Sequence, residues 1–250
     1  MSDLGPSPKS SQGKTPRTLR QKLRRAKKNI FVSFFVDLLV ILATALVLSL
    51  LVKTFLIRSF FIPSGSMEST LMIDDRIIVN ELVPDVIPLQ RGDVVVFQDP
   101  GNWLGTPEVT QRNPIELIGD FFLSSFGLIA PDSQQHLVKR VIGTAGDHIV
   151  CSGPETKLKI NDVEITEPYV NKGARACGIA FDVTVPKGSI WAMGDNRDNS
   201  TDSRYHQDLP SKGFVDLKYV VGRAFVVSFP FSHWAWLDNF PNAYKDIPKP

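Results

Sequence analysis

Cysteine is scarce in this chain: there are two in 250 residues, Cys151 and Cys177. That number excludes a disulfide-rich scaffold and a four-cysteine zinc site. The sequence has no GxSxG elbow, HExxH, CxxC or Walker loop, so it carries neither a metal nor a nucleotide signature, and no cofactor is expected. The four histidines, His136, His148, His206 and His233, sit in no Ser/His/Asp context and read as solvated or packed side chains. No internal repeat is present. With 43% hydrophobic, 22% charged and 10% aromatic residues, the chain is not wholly disordered, and the scattered Gly and Pro rule out collagen.

Acidic residues are almost missing from one end. Residues 1–29 hold nine Lys/Arg against a single Asp, a net of +8, which leaves −6 on the other 221 residues. The basic end runs straight into the most apolar stretch of the chain, Ile30 to Val52, so it reads as a membrane flank and not as a nucleic-acid arm. Those 23 residues carry one charge, Asp37. At 1.5 Å per residue they span roughly 34 Å, enough to cross a bilayer core. A buried core helix would show a polar stripe, yet from Leu38 to Val52 only Thr44 and Ser49 interrupt the apolar residues. Asp37 is costly in lipid, and its place in the N-terminal third puts it near the interface or against a partner. The run is too long for a signal-peptide core, and no small-x-small site follows it, so an uncleaved anchor is expected. The positive-inside rule then places the N-terminus in the cytoplasm and residues from about 56 onward outside.

The expected division is a basic, disordered cytoplasmic tail at 1–29, in which Arg20 to Lys28 can extend the helix, and an anchor at 30–55. A β-rich ectodomain at 56–240 and a C-terminal tail at 241–250 follow. Within the ectodomain, short runs rich in Val, Ile and Phe predict strands at Arg76–Asn80, Asp93–Phe97, Leu137–Ile142, Phe181–Val185 and Tyr219–Phe229. Lys157 to Thr166, KLKI-ND-VEIT, alternates on both sides of a two-residue turn and predicts a β-hairpin, the centre of a small subdomain at about 151–180. The fold class is therefore mainly β and antiparallel, behind one transmembrane helix. Two stretches depart from it. An insertion at 99–136 contains the apolar Ile115–Ile129, and Phe229–Leu237 (FPFSHWAWL) is rich in aromatics; each is either packed core or a membrane-surface contact.

Three polar clusters stand at element ends: Ile62–Leu71 (IPSGSMESTL), Lys139-Arg140 inside the apolar LVKRVIG, and Gly194–Arg204 (GDNRDNSTDSR). Singly, each reads as a turn, an edge lysine or a loop. Together they suggest a hydrolase that works without histidine. A serine hydroxyl is a poor nucleophile until something takes its proton. A lysine can do so once apolar surroundings lower its pKa by several units. Leu137, Val138, Val141 and Ile142 are available to supply them.

These residues resemble those of the bacterial type I signal peptidases, membrane-anchored serine endopeptidases with a Ser/Lys dyad. PSGSMESTL (Pro63–Leu71), RGDVVVF (Arg91–Phe97), VKRVIGTAGD (Val138–Asp147) and MGDNRDNSTDSR (Met193–Arg204) follow the anchor in the family's order. The resemblance implies that Ser66 is the nucleophile and Lys139 the general base. It implies that Ser64 supplies an oxyanion donor with the Ser66 N–H, and that Ser200 orients the lysine. Asp202 and Arg204 become an ion pair bracing that loop, and Asp195 and Arg197 serve structure. It further implies a catalytic domain outside the cell membrane and exported precursor proteins, with small residues at −1 and −3 before the cut, as substrates. Ser69 stands where many members have Pro, and Thr144-Ala145 replaces the common Leu-Pro. The alternatives are a processing peptidase dedicated to one surface or pilus substrate, a catalytically dead anchored assembly protein, or a soluble self-cleaving Ser/Lys repressor. The anchor and the absence of a DNA-binding module oppose the last.

An outer location permits disulfides. A Cys151–Cys177 bridge would close a 27-residue loop around the hairpin, worth about 3 kcal/mol in the chain-entropy model. The alternative is two free buried thiols.

Overall fold

A computed structural model describes residues 19–105, 136–171 and 173–248. Expectations for residues 1–18 and for Ile115–Ile129 lie outside the described residues. The chain divides into two units, residues 1–50 and 51–250.

The first unit contributes most of one helix, α1 (Leu19–Phe55). It begins well before Ile30, and the basic stretch Arg20–Lys28 lies within it. Among the described residues this is the one helix long and apolar enough to cross a membrane. Every side chain from Phe31 to Ser49 is exposed, which a core helix of a soluble protein would not tolerate. The Thr44 hydroxyl is satisfied within the helix, donating to the carbonyls of Val40 and Ile41 at 2.9 Å each, so it leaves no open donor on the apolar surface.

The second unit is antiparallel β. Its larger sheet runs β1 (Ile57–Phe61), β2 (Arg76–Asn80), β11 (Val220–Phe229), β3 (Val94–Gln98), β4 (His136–Thr144), β9 (Ser189–Met193), β10 (Val215–Asp216), with β12 (Ala235–Trp236) added to β11. The smaller sheet runs β7 (Val163–Glu164), β6 (Lys159–Ile160), β5 (His148–Cys151), β8 (Phe181–Thr184). β3 shows why the apolar runs become interior strands. Val94 and Val96 pack with Phe60, Ile77, Val79 and Ala224, while Val95 and Phe97 pack with Leu137, Val141 and Ile190. Both faces of the strand are covered, so alternation disappears from the sequence. β11 kinks at register shifts beside Gly222, where a Cβ would lie 2.4 Å from the Asn80 carbonyl oxygen. In the β6–β7 hairpin, Asn161 and Asp162 both take positive φ, the geometry of the two-residue turn that matches strand twist.

A third cluster joins the smaller sheet to β4 and β9 through Ile142, Ile149, Leu158, Ile160, Trp191 and Met193. Tyr244 and Ile247 belong to it, so two buried side chains fasten the otherwise largely exposed segment 241–248 to this core. The aromatic segment goes the other way: Phe229, Phe231, Trp234 and Trp236 are exposed, and only Leu237 is buried. Cys151 and Cys177 are joined by a disulfide and both are buried.

Mass spectrometry of non-reduced protein is expected to show a peptide linking Cys151 to Cys177, and the paired serine variant should lose about 3 kcal/mol in denaturant unfolding. Full alkylation of both thiols in folded, unreduced protein would contradict the bridge.

Candidate active site

The loop from β1 to β2 carries the first polar cluster. Ile62 N–H donates to Asp75 O at 2.9 Å and Asp74 N–H to Ile62 O at 3.0 Å, which closes the loop at its base. The Asp75 carboxylate accepts from Met72 N–H at 2.8 Å. Met67 and Leu71 are buried in the β1–β2–β11 core and pin the loop from within. Between these anchors, Gly65–Met67 forms a single 3-10 turn that leaves Ser66 part-exposed.

Lys139 sits mid-strand in β4, paired with Val95 of β3. Its amine lies 2.6 Å from Ser66 Oγ. Lys139 is 3% exposed, beside the buried Leu137, Val141 and Ile142 that its sequence context offered. An ammonium has three hydrogens to place, and among the described residues Ser66 Oγ is the one hydrogen-bonding partner at Nζ. Burial therefore dominates and lowers the amine's pKa to about 8, against an opposing pull from Asp202 and Asp195 and with help from Arg204.

The third cluster wraps this pair in buried charge pairs. Asp202 takes Arg204 Nε and Nη2 at 2.8 Å each and the Gly194 N–H at 2.9 Å. Burial opposes the charge on Asp202, but these donors hold its carboxyl below the usual range. Asp195 takes Arg140 Nε and Nη2 at 2.8 and 2.7 Å and the Thr70 hydroxyl at 2.5 Å. Arg197 is paired with Glu167. Leaving one member of such a pair buried alone typically costs about 3–5 kcal/mol. Asn196 clips the two loops together: its N–H donates to Ser66 O at 3.1 Å, and its amide nitrogen donates to Gly65 O at 2.9 Å and to Glu68 at 3.0 Å.

The remaining expected residues fall as follows. Ser64 is exposed, with its hydroxyl 3.4 Å from Ser66 Oγ. Ser200 is buried, but its hydroxyl makes no hydrogen bond, to Lys139 or otherwise, among the described residues. It lies against Gly194, where an added Cβ would sit 2.3 Å from Ser200 Oγ and 2.4 Å from Ser66 O. Of the histidines, His206 is packed, stacked on Trp103 and donating from Nδ1 to Asp202 O at 2.8 Å; His148 and His233 are partly exposed and paired with Asp182 and Asp75. Among the described residues no group of three or more His, Cys, Asp or Glu side chains is placed to hold a metal ion. Arg140, Thr70, Glu167 and Tyr169 were not expected at the site. Arg140 had a signal, a second cation beside Lys139 in an apolar strand, and Thr70 stands within the first polar cluster; Glu167 and Tyr169 had none.

The family profile described as "Signal peptidase, peptidase S26" matches residues 35–229. A "Probable signal peptidase I" from Mycobacterium leprae (strain TN) is 36% identical over 208 residues, 72% of this chain and 71% of that one. A "Signal peptidase I" from Mycobacterium tuberculosis (strain ATCC 25618 / H37Rv) is 34% identical over 244 residues, 90% of this chain and 81% of its own. A crystal structure of a signal peptidase I from Enterococcus faecalis V583 is 25% identical and covers 54% of this chain and 95% of that one, with a TM-score of 0.34; at that score it adds nothing to the assignment. On the family match and the identities to the mycobacterial proteins, this chain belongs to the signal peptidase family, peptidase S26, and is a serine endopeptidase of the signal peptidase I type.

Proposed function

We propose that this protein is anchored in the cell membrane by α1, with its N-terminus in the cytoplasm and its β unit outside, and removes N-terminal signal peptides from exported precursors through Ser66 and Lys139. The observation that carries the reading is the 2.6 Å contact between Ser66 Oγ and a buried lysine amine. With a pKa of about 8, roughly one molecule in ten holds the neutral amine at pH 7. Neutral Nζ accepts the Ser66 proton as Oγ attacks the scissile carbonyl. The resulting oxyanion takes hydrogen bonds from Ser66 N–H and the Ser64 hydroxyl, donors of a kind whose loss typically costs about 10²–10³ in rate. The ammonium then protonates the leaving amine. A water, deprotonated by the same lysine, cleaves the acyl-enzyme. The unsatisfied Ser200 hydroxyl is available to receive the amine as it turns between these partners.

The outer edge of β1 ends the larger sheet and leads directly into the Ser66 turn. An extended precursor segment can add there as a further strand, with the small −1 and −3 residues of the family's substrates beside Ser66. The exposed Phe229, Phe231, Trp234 and Trp236 suit a surface that works at the lipid headgroups. A panel of exported precursors separates this general role from service to one dedicated surface or pilus substrate: cleavage of several unrelated precursors supports the first, cleavage of one alone the second.

Steady-state cleavage by purified protein is expected to rise with pH through about 8. Lys139 can act as base only when neutral, so activity falls as the pH drops below that pKa. Lys139→Ala should lose roughly 10²–10⁴ in rate and remain folded. Lys139→Arg should be inactive at every usable pH, because a guanidinium stays protonated. Near-wild-type cleavage by folded Lys139→Ala, or loss of activity from a single histidine replacement, would overturn the dyad.

Gly194→Ala should lower kcat by about 10²-fold by displacing the Ser66 main chain; unchanged kcat in the folded variant would contradict the packing described. Protease added outside intact cells should digest the β unit and spare the N-terminus. A tag at residue 250 that is reachable only after lysis would reverse the topology.

A further inference from the structure

Tyr169 lies between β7 and β8, outside all four motifs, and is buried. Four contacts converge on it. Its backbone carbonyl accepts from Ser69 Oγ at 2.8 Å, three residues beyond the nucleophile. Its hydroxyl donates to Glu167 at 2.8 Å, and it meets the Tyr244 hydroxyl at 2.6 Å. One phenol carries one proton, so Tyr244 donates in that pair. The face of its ring lies 4.2 Å from the Arg140 guanidinium.

Arg140 gives its edge to Asp195 and to the carbonyls of Gly92 and Asp238, at 2.6 and 3.0 Å through Nη1. That leaves its planar faces without hydrogen-bond partners, and aromatic rings are the surfaces that suit them. Phe240 is also near, with its ring centroid 5.3 Å away. Behind Arg140, the charge of Asp195 favours the protonated form of Lys139. Arg140 holds that carboxylate in place through two hydrogen bonds.

We propose that Tyr169 is a positioning residue for catalysis: its ring fixes Arg140 against Asp195 behind Lys139, and its main chain ties the nucleophile turn down through Ser69. This rests on the Ser66–Lys139 reading. Removing the ring frees Arg140 and admits water beside it. Water reaching the site eases the burial that holds the Lys139 amine down, so the kinetic pKa rises and less neutral base is present at pH 7. The hydroxyl contact with Tyr244 ties the C-terminal segment, beyond the family match at 35–229, to Tyr169 and contributes to stability, while the ring is what positions Arg140.

The test is the pH dependence of kcat/KM for full-length protein in detergent, for wild type, Tyr169→Leu, Tyr169→Phe, Tyr244→Phe and Lys139→Ala. Tyr169→Leu should move the acid limb upward by about 0.5–1 pH unit. Its kcat at pH 7 should fall about three- to tenfold, with KM within about twofold of wild type. Tyr169→Phe keeps the ring and should restore the wild-type midpoint. Tyr244→Phe should lower the melting temperature and leave the midpoint in place. Should Tyr169→Leu not fold, Tyr169→Met fills more of the same space without a ring face and takes its place, with the same shift expected. An unmoved midpoint in a folded ringless variant, or an equal shift in Tyr169→Phe, would overturn the proposal and leave the dyad standing. An active Lys139→Ala would overturn the dyad itself.

Discussion

The structure depends on keeping one lysine amine out of water next to one serine hydroxyl. Taking an ammonium from water into a protein interior costs several kcal/mol, so the amine sheds its proton more readily and its pKa falls to about 8. Apolar walls alone would achieve that, but two carboxylates, Asp195 and Asp202, also face the site and favour the charged form. Each is met by a buried arginine, Arg140 and Arg204 respectively. Arg204 also opposes the ammonium directly, and much of the β unit serves to hold both arginines in place.

The smaller sheet has a part in this. Arg197 and Arg204 donate at 2.5 Å to the carbonyls of Ala176 and Cys177, and Cys177 is fixed to β5 by the disulfide. Glu167 and Tyr169, in the connection between β7 and β8, reach Arg197 and Arg140. The C-terminal segment closes the far side, with the Asp238 carbonyl on Arg140 and the Pro248 carbonyl on Arg91 at 3.1 Å. Arg91 in turn pairs with buried Asp147, next to β5. Support for the site thus comes from segments distant in sequence, each adding a donor or acceptor where a buried charge needs one.

What the sequence made legible was local. The long apolar helix, the strands at Arg76–Asn80 and Asp93–Phe97, and the Asn161-Asp162 hairpin all announce themselves by composition or turn chemistry over ten or twenty residues. β1 did not, because Ile57–Phe61 follows the end of α1 almost at once and its apolar residues merge with those of the helix. β9 did not either, because all five of its residues are buried and no alternation marks it. Ser66, Lys139, Asp202 and Arg204 could be named because they stand in dense motifs. Tyr169 and Tyr244 could not: apart from Glu167, two residues from Tyr169, the partners named for them lie 29 to 100 positions away, and nothing in the neighbouring residues distinguishes them from ordinary core aromatics. Residues 241–248 read as a tail for the same reason, since the core that Tyr244 joins is built around a sheet 60 to 96 positions earlier.

The most direct test of this account is the ionisation of Lys139 itself. Protein labelled with carbon-13 at the lysine side chains can be titrated by NMR, with the Lys139 resonance assigned by its loss in Lys139→Ala. The account predicts a side-chain titration centred near 8, well apart from the other lysines. A midpoint at or above about 10, the range of an ordinary solvated lysine, would mean that the amine is charged whenever the enzyme works, and Lys139 could not be the base.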